Sequence, residues 1–149
     1  RGGSLRRMDD LSAPTGREAA LVAVPREDGT APRALVLGAT GYIGGRLVPR
    51  LLNAGYRVRV LARDPRRVAA FAWGERVEIV AGDAADATVM AEAAADVDVL
   101  YYLVHSMSAG RGFESADREA AETVARAAAR AGVTRLVYLG GLHPAGVPL

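Results

Sequence analysis

Gly38-Ala39-Thr40-Gly41-Tyr42-Ile43-Gly44 decides how this chain of 149 residues is read. Before it stands Ala34-Leu35-Val36-Leu37, a short apolar run of the buried-strand type. After it, Tyr42 to Asn53 carries apolar residues at helical spacing and is closed by Gly55. A strand that passes through closely spaced glycines into a helix presents backbone N–H groups at a helix N-terminus with no Cβ in front of them. A pyrophosphate needs such a place. The plainer alternative is a tight strand-to-helix turn without a ligand, and the strand–turn–helix setting favours nucleotide binding over it.

Outward from that loop, strand and helix signals alternate. Tyr56 to Leu61 reads as a second strand, Pro65 starts a helix to about Phe71, and Val77 to Val80 is a third strand. Asp86 caps a helix through Ala95, and Val97 to Val104, the most apolar run, fits a central strand. A long helix from Glu114 to Ala131 ends at Gly132, and Val133 to Leu139 is the fifth strand. Five alternations mean βαβ units with right-handed crossovers. The expectation is an α/β, doubly wound parallel sheet in the order 3-2-1-4-5 that stops after its fifth strand. Pro49 falls inside the first helix, where it costs about 3 kcal/mol unless the helix kinks. Leu47, Leu51 and Leu52 keep the helix, with a bend expected. Residues 1–32 are broken by Pro14, Gly16, Pro25, Gly29 and Pro32, and their five arginines are matched by five acids. They read as a flexible N-terminal tail before a domain covering 33–149.

Composition removes several function classes. Half the residues are apolar, enough for a core, and the formal net charge is only +2, too little for sequence-independent nucleic-acid binding. With no cysteine there is no disulfide, thiolate nucleophile or zinc ribbon, and His105 and His143 are too far apart in sequence to suggest a metal site. All 19 basic residues are arginine. A chain without lysine forms no Schiff base and contains no Tyr-x-x-x-Lys pair. No apolar run approaches the roughly 18–20 residues of a membrane span, and Arg1 to Met8 lacks the apolar region of a secretory signal. A soluble, cytoplasmic chain is expected.

Taken together, Gly38 to Gly44, Arg63 after the second strand, Gly82-Asp83 after the third and Val133-Thr-Arg-Leu-Val-Tyr138 in the fifth carry a family resemblance. The chain resembles the atypical and extended branch of the short-chain dehydrogenase/reductase superfamily, NmrA-like NAD(P)-binding proteins included, from about Arg33 to Pro144. The resemblance implies a Rossmann cofactor domain and leaves the reaction open. It also implies that Thr40, Tyr42 and Ile43 line the phosphates. Asp83 and Ala84 would lie near the adenine, and Val104 and His105 would flank the nicotinamide-side ribose. The residue ending the second strand faces the adenosine ribose, where a carboxylate accepts from the 2′-hydroxyl and an arginine pairs with a 2′-phosphate. Arg63 therefore favours NADP(H) over NAD(H). Its alternative is a solvated charge run with Arg57, Arg59, Arg66 and Arg67, a reading that fits Arg57 and Arg59, while Asp64 keeps NAD open as a ribose ligand. Asp83 reads equally as a helix cap, His105 as a structural residue, and Tyr101, Tyr102 and Trp73 as packing.

Where related reductases carry Ser-Ser after the fifth strand, this chain has Gly140-Gly141, with His143 the nearest titratable group. No catalytic residue is assigned. One reading is the cofactor domain of an oxidoreductase whose small-molecule substrate, of unknown identity, is bound by sequence beyond Leu149. Another is a redox sensor or regulatory module that holds the dinucleotide without turnover. An S-adenosylmethionine-dependent methyltransferase shares the sheet but ordinarily places an acid where Arg63 stands. The alanine face of the long helix (Ala121, Ala125, Ala128, Ala129) suits either packing on the sheet or a homo-oligomer interface.

Overall fold

The computed structural model describes residues 21–104 and 111–139. β1 (Arg33–Leu37) is buried along its whole length, Leu35 and Leu37 joining one core and Ala34 and Val36 the other. Strand side chains alternate between faces, so an uninterrupted apolar strand is satisfied only between two layers. β2 (Arg57–Ala62), β3 (Glu78–Ala81), β4 (Val99–Tyr102) and β5 (Arg135–Tyr138) complete the sheet. All pairs are parallel and the order is β3-β2-β1-β4-β5, as the alternation predicts.

α1 (Tyr42–Asn53) and α2 (Pro65–Ala69) cover one face, burying Val48, Leu51 and Val68 against Val36 and Val60. α3 (Ala87–Ala94) and α4 (Arg111–Ala131) cover the other, with Met90 and Val124 against Leu35 and Leu100. The strand order reverses between β1 and β4, and open α/β sheets bind ligands at the carboxyl ends of the strands at such a point. α1 continues through Pro49. α4 begins three residues before its expected start, and β4 is shorter than the apolar run Val97 to Val104, although Val97 is itself buried. The alanine face of α4 divides: Ala128 is buried, Ala121 is partly buried against the same core, and Ala125 and Ala129 are exposed. Trp73 is buried and stacked on Phe71 at 4.6 Å, and Tyr102 is buried in the α3–α4 core.

The amino edge of the sheet is closed by ion pairs. Leu21 to Pro32, expected as part of a flexible tail, is anchored there. The Ala23 N–H donates to the Ala54 carbonyl at 2.8 Å, and Arg26 donates to Asp98 at 2.8 and 3.0 Å and pairs with Asp96 at 2.8 Å. Arg33, buried at the start of β1, pairs with Asp96 and with Glu78, the latter at 3.1 Å. Asp96 is the non-glycine residue with a left-handed backbone among the described residues, φ 57°, and both arginines hold its carboxylate. Arg59, expected as a solvated charge, is nearly buried. It pairs with Glu78 at 2.9 Å and donates to the Ala93 and Ala95 carbonyls at 2.9 and 2.7 Å, satisfying the C-terminal carbonyls of α3. Burial pushes the Glu78 and Asp98 carboxyls up, and the guanidinium groups of Arg59 and Arg33 around Glu78, and of Arg26 around Asp98, more than offset it, leaving both below their ordinary values.

Candidate functional site

Because the strands are parallel, the segments that follow them emerge along one edge. Leu37 pairs in register with Leu61 and with Tyr102, and Ala62 pairs with Ala81. Gly38, Arg63, Gly82-Asp83-Ala84 and Val104 therefore leave the sheet within three strand spacings, about 14 Å.

Gly38 is fixed twice over. Its φ is +85°, and a Cβ on it would stand 3.0 Å from the Leu103 carbonyl carbon and oxygen. A Cβ on Gly44 would collide with the Gly38 carbonyl and approach the Ala39 Cα at 2.6 Å, so the first turn of α1 lies against the loop with no room for a side chain. Gly41, the N-cap, offers no side-chain hydrogen bond, and the first turn contains no acid. The Gly41 N–H donates to Gly38 and that of Gly45 to Gly41, at 3.1 and 2.8 Å. The N–H groups of Tyr42, Ile43 and Gly44 between them have no carbonyl one turn back, and they stand at the positive end of the helix dipole. Thr40 is half-buried in the loop, and Tyr42 and Ile43 are exposed. Arg46, not foreseen from the sequence, stacks 3.7 Å over the Tyr42 ring, a contact that their separation by one helical turn permits.

Arg63 stands one residue beyond β2, exposed, with no hydrogen bond or ion pair among the described residues. Its neighbour Asp64 is engaged. Asp64 caps α2 by accepting from the Arg66 N–H at 3.1 Å, and its two oxygens accept from the Arg66 guanidinium at 2.9 and 3.0 Å. The hydrogen bonds from Arg66 hold the Asp64 carboxyl below its ordinary value. The expected positive field around Arg63 is smaller than a count of arginines gives, because Arg57 and Arg59 pair with Glu78 at the opposite edge and Arg66 pairs with Asp64.

Asp83 is exposed and accepts from the Ala85 N–H at 2.9 Å, a local turn. The cap of α3 is Asp86, which accepts from Thr88 and Val89 at 2.8 and 3.2 Å, so of the two roles open to Asp83 helix capping falls to its neighbour. Ala84 is partly buried against the α3–α4 core. The Leu103 N–H donates to the Leu37 carbonyl at 3.0 Å, which holds the exposed Val104 beside the glycine loop. A cleft of about 350 Å³ opens from Val104 between α4 and β5, lined by Tyr102, Asp117, Leu136 and Tyr138 among others. His105, Gly140, Gly141 and His143 lie outside the described residues. Among the described residues no group of three His, Asp or Glu side chains could hold a metal, and no helix is long and apolar enough to cross a membrane.

A family model described as NAD(P)H-binding matches residues 38–146, from the first glycine of the loop to beyond β5. The chain belongs to this NAD(P)H-binding family. It is 39% identical over 105 residues to (4-alkanoyl-5-oxo-2,5-dihydrofuran-3-yl)methyl phosphate reductase of Streptomyces griseus, which covers 70% of this chain and 33% of the relative. It is 31% identical over 131 residues to 3 beta-hydroxysteroid dehydrogenase/Delta 5→4-isomerase of Mycobacterium tuberculosis, covering 76% of this chain and 35% of the relative. Among solved structures, a short-chain dehydrogenase/reductase superfamily protein from Agrobacterium tumefaciens with bound NAD superposes with a TM-score of 0.59. The two are 26% identical, over 71% of this chain and 31% of that one. The NAD(P)H-binding chain thus spans about a third of the length of these relatives. Fold, family and relatives together make it a Rossmann-type NAD(P)-binding domain of the short-chain dehydrogenase/reductase superfamily.

Proposed function

We propose that this domain holds NADP(H), in preference to NAD(H), across the carboxyl edge of its sheet, and that it is the cofactor-binding part of an oxidoreductase acting on a small molecule. The edge fits a dinucleotide: Gly38 and Gly44 let the loop, the Leu103 backbone and the first turn of α1 pack with no side chain between them, and the N-terminus of α1 carries neither a side-chain cap nor a carboxylate in its first turn. In this reading Gly38, Thr40, Gly41, Tyr42, Ile43 and Gly44 take the pyrophosphate, Asp83 and Ala84 border the adenine, and Val104 borders the nicotinamide-side ribose, with His105 next in sequence. When bound, the nicotinamide supplies or accepts a hydride. The protein's own groups bind the phosphates through backbone N–H donors and orient the two ends of the cofactor along the edge.

The observation that carries the preference for NADP(H) is Arg63, without a partner among the described residues, beside an Asp64 already held by Arg66. A guanidinium forms two charge-assisted bonds with a 2′-phosphate and gains little from a hydroxyl. Such bonds contribute about 1.5–3 kcal/mol, so Arg63→Ala should weaken NADP(H) roughly ten- to a hundredfold and leave NAD(H) nearly unchanged. Calorimetric titration of both cofactors into the parent and the variant checks this. Equal affinities in the parent, or equal losses in the variant, would make Arg63 a surface charge.

A further inference from the structure

We infer that Arg66 is a positioning residue for cofactor choice: by clamping Asp64 it keeps a carboxylate from acting on the ribose next to Arg63. The inference rests on the proposed role of Arg63 and adds a second residue to it. Asp64 directly follows Arg63, at the strand end where a carboxylate would accept from a ribose 2′-hydroxyl and would repel a 2′-phosphate. In the structure both of its oxygens are occupied. Oδ1 accepts from the Arg66 N–H at 3.1 Å and from Nε at 2.9 Å, and Oδ2 accepts from the second guanidinium nitrogen at 3.0 Å. The pair is local and forked, and the Arg66 side chain makes no other hydrogen bond or ion pair among the described residues. The clamp does two things. It directs the acceptor oxygens of Asp64 at Arg66, and it cancels the negative charge that would otherwise sit beside the phosphate partner.

Removing the Arg66 side chain spares the backbone cap, since the Arg66 N–H remains, so α2 should persist. The freed carboxylate then opposes a 2′-phosphate and is available to a 2′-hydroxyl. The pair is exposed and screened, so the effect is moderate: Arg66→Gln should weaken NADP⁺ about three- to tenfold, leaving NAD⁺ unchanged or tighter. In an Asp64→Asn background, where asparagine still caps the helix, the same Arg66→Gln change should alter neither cofactor by more than about twofold.

The experiment is calorimetric titration of NADP⁺ and NAD⁺ into the parent, Arg66→Gln, Asp64→Asn and the double variant, with circular dichroism to confirm the fold. Loss of NADP⁺ affinity in the Arg66→Gln protein and its disappearance in the Asp64→Asn background are the expected results. Equal losses in both backgrounds would mean that Arg66 touches the phosphate itself, and no loss in either would mean that the clamp is irrelevant; both overturn the inference while leaving Arg63 in its role. A parent that does not prefer NADP⁺, or that loses both cofactors equally on Arg63→Ala, would overturn the underlying reading and this inference with it.

Discussion

The two edges of the sheet use arginine in opposite ways. At the amino edge Arg26, Arg33, Arg57 and Arg59 are each matched to Asp96, Asp98 or Glu78, and Arg59 additionally takes up the last carbonyls of α3. At the carboxyl edge Arg63 has no partner among the described residues, the N-terminus of α1 has no side-chain cap, and two glycines stand where a side chain would not fit. A paired charge network holds the strands together, although the buried Nε of Arg33 has no hydrogen-bond partner among the described residues. Exposed donors gathered on one edge, bonded only to water in the free chain, are available to an anionic ligand. The contrast separates the residues that build this domain from those that serve it.

The largest effect is expected at the carboxyl edge. Gly44→Ala drives a methyl into the Gly38 carbonyl and the Ala39 backbone, so the loop must move. The variant should lose about 1–3 kcal/mol of stability by chemical denaturation and show no measurable dinucleotide binding. Binding at the parent's level would mean that the glycine loop is not where the phosphates lie. Next comes Arg33→Met at the other edge, which removes the buried guanidinium shared by Asp96 and Glu78. Those carboxylates are partly exposed and keep other partners, so the cost is set at about 2–3 kcal/mol, with cofactor affinity changed less than twofold. A large change in affinity would show that the two edges are coupled.

A smaller effect is expected from acid. The Asp98 and Glu78 carboxyls lie below their ordinary values of 3.8 and 4.5 in the folded chain. Carboxyls lowered by folding contribute stability that is complete above the unfolded values and is lost as pH falls through the folded ones. Denaturation midpoints should therefore be flat above about pH 5 and fall below about pH 4. Asp98→Asn should lower the neutral plateau and reduce the fall. An unchanged acid slope in that variant would remove Asp98 from the network.

Much of the sheet was legible in the sequence, because its strands are short apolar runs separated by glycine, proline and capping acids. The whole strand order and the limits of α1, Tyr42 to Asn53, follow from that punctuation. The glycine loop was legible for the same reason. The amino edge was not. Arg26 and its partner Asp98 are 72 positions apart, and Arg59 reaches Glu78 and the end of α3, so nothing local distinguishes these arginines from solvated ones. The Asp64–Arg66 clamp lies within three residues, and Asp before Pro65 is a helix-start signal. What the sequence could not show is that the capping carboxylate also receives the Arg66 guanidinium. Asp86 caps α3 as the sequence suggests, whereas the local turn in which Asp83 accepts from the Ala85 N–H was not legible there.

The central claim, that the carboxyl edge of the sheet and not the amino edge receives the dinucleotide, is tested most directly by amide hydrogen exchange with and without saturating NADP(H). Slowed exchange at Tyr42, Ile43 and Gly44, with smaller slowing at Asp83, Ala84 and Val104 and none at Ala23, Arg57 or Asp98, is the predicted result. Slowing at the amino edge, or exchange at Tyr42 to Gly44 that the cofactor leaves untouched, would contradict it.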